Sequence, residues 1–280
     1  MKSEAINDNI TNFKTAINQL SHQYTAPHPY NYQSLLFFLT FMLEQLQRIN
    51  ISRQHHLYSG VHSATRTFFE SYAYFLFIIK DESQINRRLT AYQLSMDRKR
   101  YTTLLNTFNF DSEVNPDMQE KFEGIADSFK QTYGLTPNKI TAALNDTNHK
   151  IKNIFKPKAN GKSNNGKTFY SLDGTIEFEY GSKPRKITLN TFKDLCDYLD
   201  LGFVYQLLEN EESTEIHGTD ILNSFTVQDN GEIIRNPDDE NDFPEQFVTL
   251  YLANAITALI NLKGINKTPI KNTLKSIIYK

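Results

Sequence analysis

Three side chains able to do polar chemistry fall four residues apart within one strongly apolar stretch, HSATRTFFESYAYFLFIIK: His62, Arg66 and Glu70. In a helix that spacing puts all three on one side, about one turn from each other. Arg66 carries a permanent charge and a fork of donors suited to carboxylate or phosphate. Glu70, one turn on, can hold that fork or orient a histidine. His217 lies far along the chain after a glutamate-rich segment, and those carboxylates favour its protonated form. An arginine for an anion, a carboxylate to orient and an imidazole to move a proton make an acid–base site. The same residues also make an Arg66–Glu70 pair that locks a helix to its neighbours, with His217 as a polar cap.

The element that must carry this stripe is a helix from about His62 to Lys80, preceded by Gly60 and apolar around most of its circumference. An all-round apolar helix is a central one. Arg66 and Glu70 are therefore expected inside the core, where charge is costly unless paired or used. Around it the spacing predicts further helices. Ile6, Ile10, Phe13, Ile17, Leu20 and Tyr24 mark a first, and LLFFLTFML dominates a second from Tyr32 to Asn50. A fourth runs from Ser83 to Thr107 with Ile85, Leu89, Tyr92 and Met96 inward and Arg87, Arg88, Arg98, Lys99 and Arg100 largely outside.

Beyond these, helices are expected over Pro116–Tyr133, capped by Gly134, and from Thr136-Pro137 to Phe155. Lys, Asn, Gly and Ser fill 156–167, a loop with little to bury. In TFYSLDGTIEFEY, alternation around Asp173-Gly174 predicts a hairpin, with Lys186 to Leu189 as a short third strand. One helix is then expected from Thr191 through Phe203 and Leu208 into ENEESTEIHG. Phe225–Val227, Asn230-Gly231 and Ile233–Ile234 predict a second hairpin, followed by an acidic loop and helices over Pro244–Lys263 and Ile270–Tyr279. The fold class expected is mainly α: a multi-helix bundle with small β-hairpin insertions. It is read as one helical domain over 1–280, with a loop and hairpin insertion at 156–190 and a second hairpin with its acidic loop at 224–243.

Composition limits the partners. Thirty basic against thirty-two acidic residues give a formal charge of −2, so whole-molecule attraction to nucleic acid or an anionic membrane is absent and any such binding must be local. The apolar runs Leu35–Leu43 and Tyr72–Ile79 are shorter than the ~20 residues of a membrane span, so no membrane partner is expected. Cys196 is the only cysteine, and MKSEAINDNI has no apolar leader; both fit the cytoplasm.

Other motifs are weaker. Gly161 to Thr168, GKSNNGKT, satisfies the spelling of a phosphate-binding P-loop, but no apolar strand delivers it and a hairpin rather than a helix follows. His55, His56 and His62 have no second carboxylate–histidine pair at helical spacing, so no metal or cofactor is expected. Lys150 to Lys167 and Lys183 to Lys186 form a basic run that is either solvated surface or a contact for RNA phosphates. Cys196 lies on an apolar helical face and reads as a core thiol.

The helix HSATRTFFESYAYFLFI resembles the Arg-x-x-x-Glu helix of a bacterial family of uncharacterised, mostly helical proteins, in which a later helix ends in Tyr-x-x-Leu-Ser and then His-Gly or His-Pro and Thr. Tyr205-Gln-Leu-Leu208 and His217-Gly218-Thr219 follow that pattern over residues 35–222, with Glu209 in place of the serine and the hairpin insertion left aside. The resemblance implies a shared polar site and adds Tyr205 to it, with His62 in support. A looser similarity to HEPN ribonucleases implies metal-independent RNA cleavage in a defence or toxin-like setting. Arg48 and His55 have the usual spacing of that signature but flank a helix exit, whereas Arg66 with His217 would build the chemistry from two helices. The alternative class is a non-catalytic interaction or ligand-sensing module, in which these residues are structural. Its partners would be another protein or a second copy of the chain.

Overall fold

The computed structural model describes residues 3–23, 32–108, 124, 127, 134, 136–156, 168–180, 183–216, 225–227, 233–235, 242–262 and 268–278. It is mainly α, with two antiparallel hairpins. The helices are α1 Ser3–His22, α2 Tyr32–Gln54, α3 Tyr58–Ile79, α4 Ile85–Phe108, α5 Pro137–Ile154, α6 Phe192–Tyr198, α7 Gly202–Ile216, α8 Phe243–Ile260 and α9 Thr268–Ile278. The strands are β1 Thr175–Tyr180, β2 Lys183–Thr188, β3 Phe225–Val227 and β4 Ile233–Arg235. Two compact units form: Met1–Ile85 with Leu195–Lys280, and Asn86–Asp194.

The first unit is a helical bundle. Helix α2 packs on α3, α1 lies against α2 and α9, and α8 covers both α2 and α3. The periodic residues explain this arrangement: Ile6, Ile10, Phe13, Ile17 and Leu20 of α1 are all buried, as are Leu35, Leu39, Met42, Leu46 and Ile49 of α2. Pro244 stands in the first turn of α8, where its missing N–H has no intrahelical acceptor to lose. From α8, Phe247 and Tyr251 meet Phe68 and Tyr72 of α3 edge-on, with ring centroids 6.2 and 4.9 Å apart. Such pairs add about 0.5–1.5 kcal/mol each beyond the area they bury.

The charge pair that this core does bury is one the sequence pattern left unremarked. Arg53, at the end of α2, forks onto Glu245 in the first turn of α8, Nε to Oε1 at 2.7 Å and Nη2 to Oε2 at 2.9 Å, with Glu245 only 1% exposed. Beside it Asn50 donates to Asn7 of α1 at 2.9 Å. Three helices are thereby tied at one end of the bundle.

In the second unit Thr136 caps α5 and Pro137 follows, as the sequence predicts. Gly124 and Asp127 are helical and Gly134 has φ +61°; the rest of the expected 116–133 helix lies outside the described residues. Arg88, expected outside, is buried, while Met96, expected inside, is exposed. Arg87 reaches Asp173 at 2.6 Å and the last α5 carbonyl, that of Ile154, at 3.1 Å. That clamp explains why Asp173-Gly174 is not a hairpin turn. Residues Phe169–Asp173 form a 3-10 turn whose Phe169, Tyr170 and Leu172 are buried, Phe169 edge-on to Tyr92 at 5.0 Å. Gly174, at φ +68°, then releases the chain into β1. The hairpin is β1 with β2, Tyr180 opposite Lys183 and Thr175 opposite Thr188, so the expected third strand is part of the second. The β3–β4 pair forms where predicted, Val227 opposite Ile233.

Two predictions follow from the packing of the first unit. Glu245→Ala strands the Arg53 charge and lowers unfolding free energy by about 3–5 kcal/mol in urea melts, and a loss under ~1 kcal/mol would show the pair to be dispensable. Burial pushes the Tyr72 and Tyr251 phenols above their ordinary value, in Tyr72 with the charge of Tyr251 adding to it. Their contribution is fully present below about pH 10 and is lost as pH rises through the higher folded values, since the unfolded chain releases those protons first. Urea midpoints should therefore hold up to about pH 10 and fall as the pH rises beyond it, and less so in Tyr72→Phe.

Candidate functional site

Helix α3 keeps its apolar side chains buried through Phe68, Phe69, Tyr72, Ala73, Phe75 and Phe77, and leaves one arc for polar ones. His62, Arg66 and Glu70 share that arc, as their spacing predicts, but the arc is an edge and not the core. The Arg66 side chain is 43% exposed and Glu70 40%. The expectation of a buried stripe is overturned because α2 and α8 cover the aromatic sides of α3, and the polar side faces the slender α7.

The position of α7 depends on a break in what the sequence presented as a single helix. Leu201 N–H bonds the Cys196 carbonyl at 2.8 Å, Asp200 N–H bonds that of Asp197 at 3.3 Å, and Asp200 takes φ +61°. These bonds form a Schellman stop, with aspartate in the left-handed position that glycine usually fills. At Gly202 a Cβ would lie 2.6 Å from Asp197 Oδ1, so the restart is close against the finished turn. Phase is lost across the break, which is why Phe203, expected inward with Leu195 and Leu199, is 79% exposed. Lys80 anchors the junction: its ammonium donates to the Tyr198 carbonyl at 3.3 Å and sits 4.4 Å over the Tyr198 ring. From this anchor beside the end of α3, α7 returns toward the start of α3.

Arg66 meets the other side of the cluster there. Its Nη2 donates to Glu209 Oε1 of α7 at 3.3 Å, and its Nε to Glu70 Oε1 at 3.4 Å. Tyr205, one turn before Glu209, donates its hydroxyl to the same carboxylate. Burial pushes the Tyr205 phenol up, the charge and hydrogen bond of Glu209 push it further, and Arg66 pulls the other way. Glu209 is 42% exposed. Sequence reasoning passed over Glu209 as a mismatch for serine; its position four residues after Tyr205 was the available signal.

One guanidinium beside two carboxylates and a phenol can hold a polar ligand or shuttle a proton between oxygen acids, and the charges of Arg66, Glu70 and Glu209 sum to −1. The Arg66 bonds to Glu70 and Glu209, at 3.4 and 3.3 Å, are long for charge-assisted contacts, which usually lie at about 2.7–2.9 Å. The Arg53–Glu245 fork has that shorter length, and its carboxylate is buried. Of the other expected residues, His62 is half-buried on the same arc, and His217 lies outside the described residues with Gly218 and Thr219. Arg48 is exposed on α2 and His55 stands in the turn beyond it, so they share no helix. Residues 161–167 of the P-loop spelling are outside the described set; after Thr168 comes the five-residue 3-10 turn. Among the described residues no group of three His, Cys, Asp or Glu is placed to hold a metal ion, and no helix is long and apolar enough to cross a membrane.

The fold and this cluster define a mainly helical protein with a polar, half-exposed site across two helices. Residues 32–233 match a family of unknown function, DUF5677, and the chain belongs to that family. The matched span takes in residues 35–222, over which an uncharacterised family is expected, together with the 156–190 insertion. No curated protein and no solved structure matches the chain.

Proposed function

We propose that the α3–α7 cluster is the phosphate-handling half of a metal-independent RNA-cleaving site, with the defence or toxin-like use that the HEPN resemblance implies. The observation that supports it is the contrast between the ways Arg53 and Arg66 meet glutamate among the described residues. Arg53, itself 22% exposed, is fixed by a short two-bond fork onto a buried carboxylate, as a structural pair is. Arg66 is held by long bonds from two carboxylates at 43% exposure, so an incoming phosphate can replace one of them without opening the core. In this reading Arg66 binds the scissile phosphate, and Glu70 and Glu209 aim its guanidinium. Tyr205 and His62 support the arc, and His217 takes the 2′-hydroxyl proton. The 2′ oxygen then bonds to phosphorus as the bond to the 5′ oxygen breaks and that oxygen takes a proton from solvent, leaving a 2′,3′-cyclic phosphate and a 5′-hydroxyl.

The alternative, a non-catalytic ligand-sensing or interaction module, is favoured by one observation: two carboxylates outnumber the single guanidinium, a balance that fastens helices more readily than it captures an anion. Labelled RNA incubated with the full chain in EDTA separates the two. The proposal expects fragments ending in cyclic phosphate, slowed by about 10²-fold or more in both Arg66→Ala and His217→Ala. No cleavage by the wild-type chain, or equal cleavage by the variants, would leave the non-catalytic reading.

A further inference from the structure

The near-neutral total charge conceals a strong division between the two units. Residues Asn86–Asp194 contain 18 Lys and Arg against 12 Asp and Glu, a formal +6. Met1–Ile85 with Leu195–Lys280 contain 12 against 20, a formal −8. The unit that carries the Arg66 cluster therefore repels a polyanion, and Arg66, Glu70 and Glu209, which sum to −1, do not recruit one. An RNA-acting chain so divided needs its affinity from elsewhere, and the second unit has the charge to supply it.

The described surface shows where. Lys150 and Lys186 are tied to Asp146 and Glu177 at 2.7 and 2.6 Å, which removes much of their field. Lys99 and Arg100 on α4 and Lys152 on α5 are exposed, each on a helix and not on a loop. We infer that the Asn86–Asp194 unit is a nucleic-acid-holding module that grips the phosphate backbone of single-stranded RNA through these helical cations, without reading sequence. This rests on the reading of the chain as RNA-acting, but concerns binding and not cleavage. Opposite charges on the two units also exclude a uniform basic coat, so removing cations from the first unit should not matter.

The test is binding of a mixed-sequence single-stranded RNA to the full chain, read by fluorescence anisotropy across a salt series. The triple variant Lys99→Ala, Arg100→Ala, Lys152→Ala should lower the slope of log affinity against log salt by about 2, and weaken binding by about ten- to a hundredfold near ~0.1 M salt. Lys99→Arg, Arg100→Lys and Lys152→Arg together should bind like wild type. So should the control Lys14→Ala, Lys271→Ala, Lys275→Ala, which removes three exposed lysines of the first unit. Wild-type binding insensitive to salt, no RNA binding at all as a protein-only partner would imply, an unaffected triple variant, or an equal loss in the control would each overturn the inference. Failure here is separable from failure of the cleavage reading. A chain that binds RNA in this pattern yet never cuts it keeps the module and loses the site; a chain that cuts RNA with an unaffected triple variant does the reverse.

Discussion

Helix α3 carries more aromatic surface than any one neighbour can cover, and the first unit is arranged to satisfy it. Helix α2 takes one side, α8 takes another through Phe247 and Tyr251, and the side that holds His62, Ser63, Arg66, Thr67 and Glu70 is left partly uncovered. Polar chemistry on α3 is confined to its uncovered side because a charge placed among the buried aromatic residues would be desolvated. The position of Arg66 is thus a consequence of packing, and α7 is the element that turns a leftover edge into a cluster.

How α7 arrives is equally physical. Lys80 fixes the end of α6 to the end of α3, the left-handed Asp200 closes the Schellman stop, and Gly202 permits the restart hard against Asp197. With the chain redirected, the i, i+4 pair Tyr205 and Glu209 points at Arg66. A continuous helix would have carried the phase of Leu195 and Leu199 onward and buried Phe203 instead. Two arginines that meet glutamate are held differently: Arg53 on Glu245 ties α2 to α8, while Arg66 stays partly exposed between Glu70 and Glu209.

Signals that lie within one element were readable from residue order. The α1 face, the Thr136-Pro137 start and the β3–β4 hairpin around Asn230-Gly231 each depend on neighbours a few residues apart. What escaped was long-range or conformationally unusual. Arg53 and Glu245 are 192 residues apart, with no local mark of their meeting. A helix stop on aspartate lacks the glycine that normally announces it. The hairpin expected at Asp173-Gly174 lies instead between β1 and β2, after Arg87 and three buried side chains claim the Asp173 turn for the core. Arg66 was placed too deep because aromatic content suggested an all-round apolar helix, when Ser63, Thr67 and Tyr74 leave one side only partly covered. Tyr205 was legible only through family resemblance, and Glu209 only by its phase relative to Tyr205.

The central claim is that Arg66 is held for use and not for stability. A double-mutant cycle on Arg66 and Glu209, each changed singly and together to alanine and measured by urea unfolding, tests it most directly. A coupling of about 1 kcal/mol or less is the result the account predicts, as for a solvent-accessible pair. A coupling of ~3 kcal/mol or more would mark a structural lock of the buried kind and contradict it.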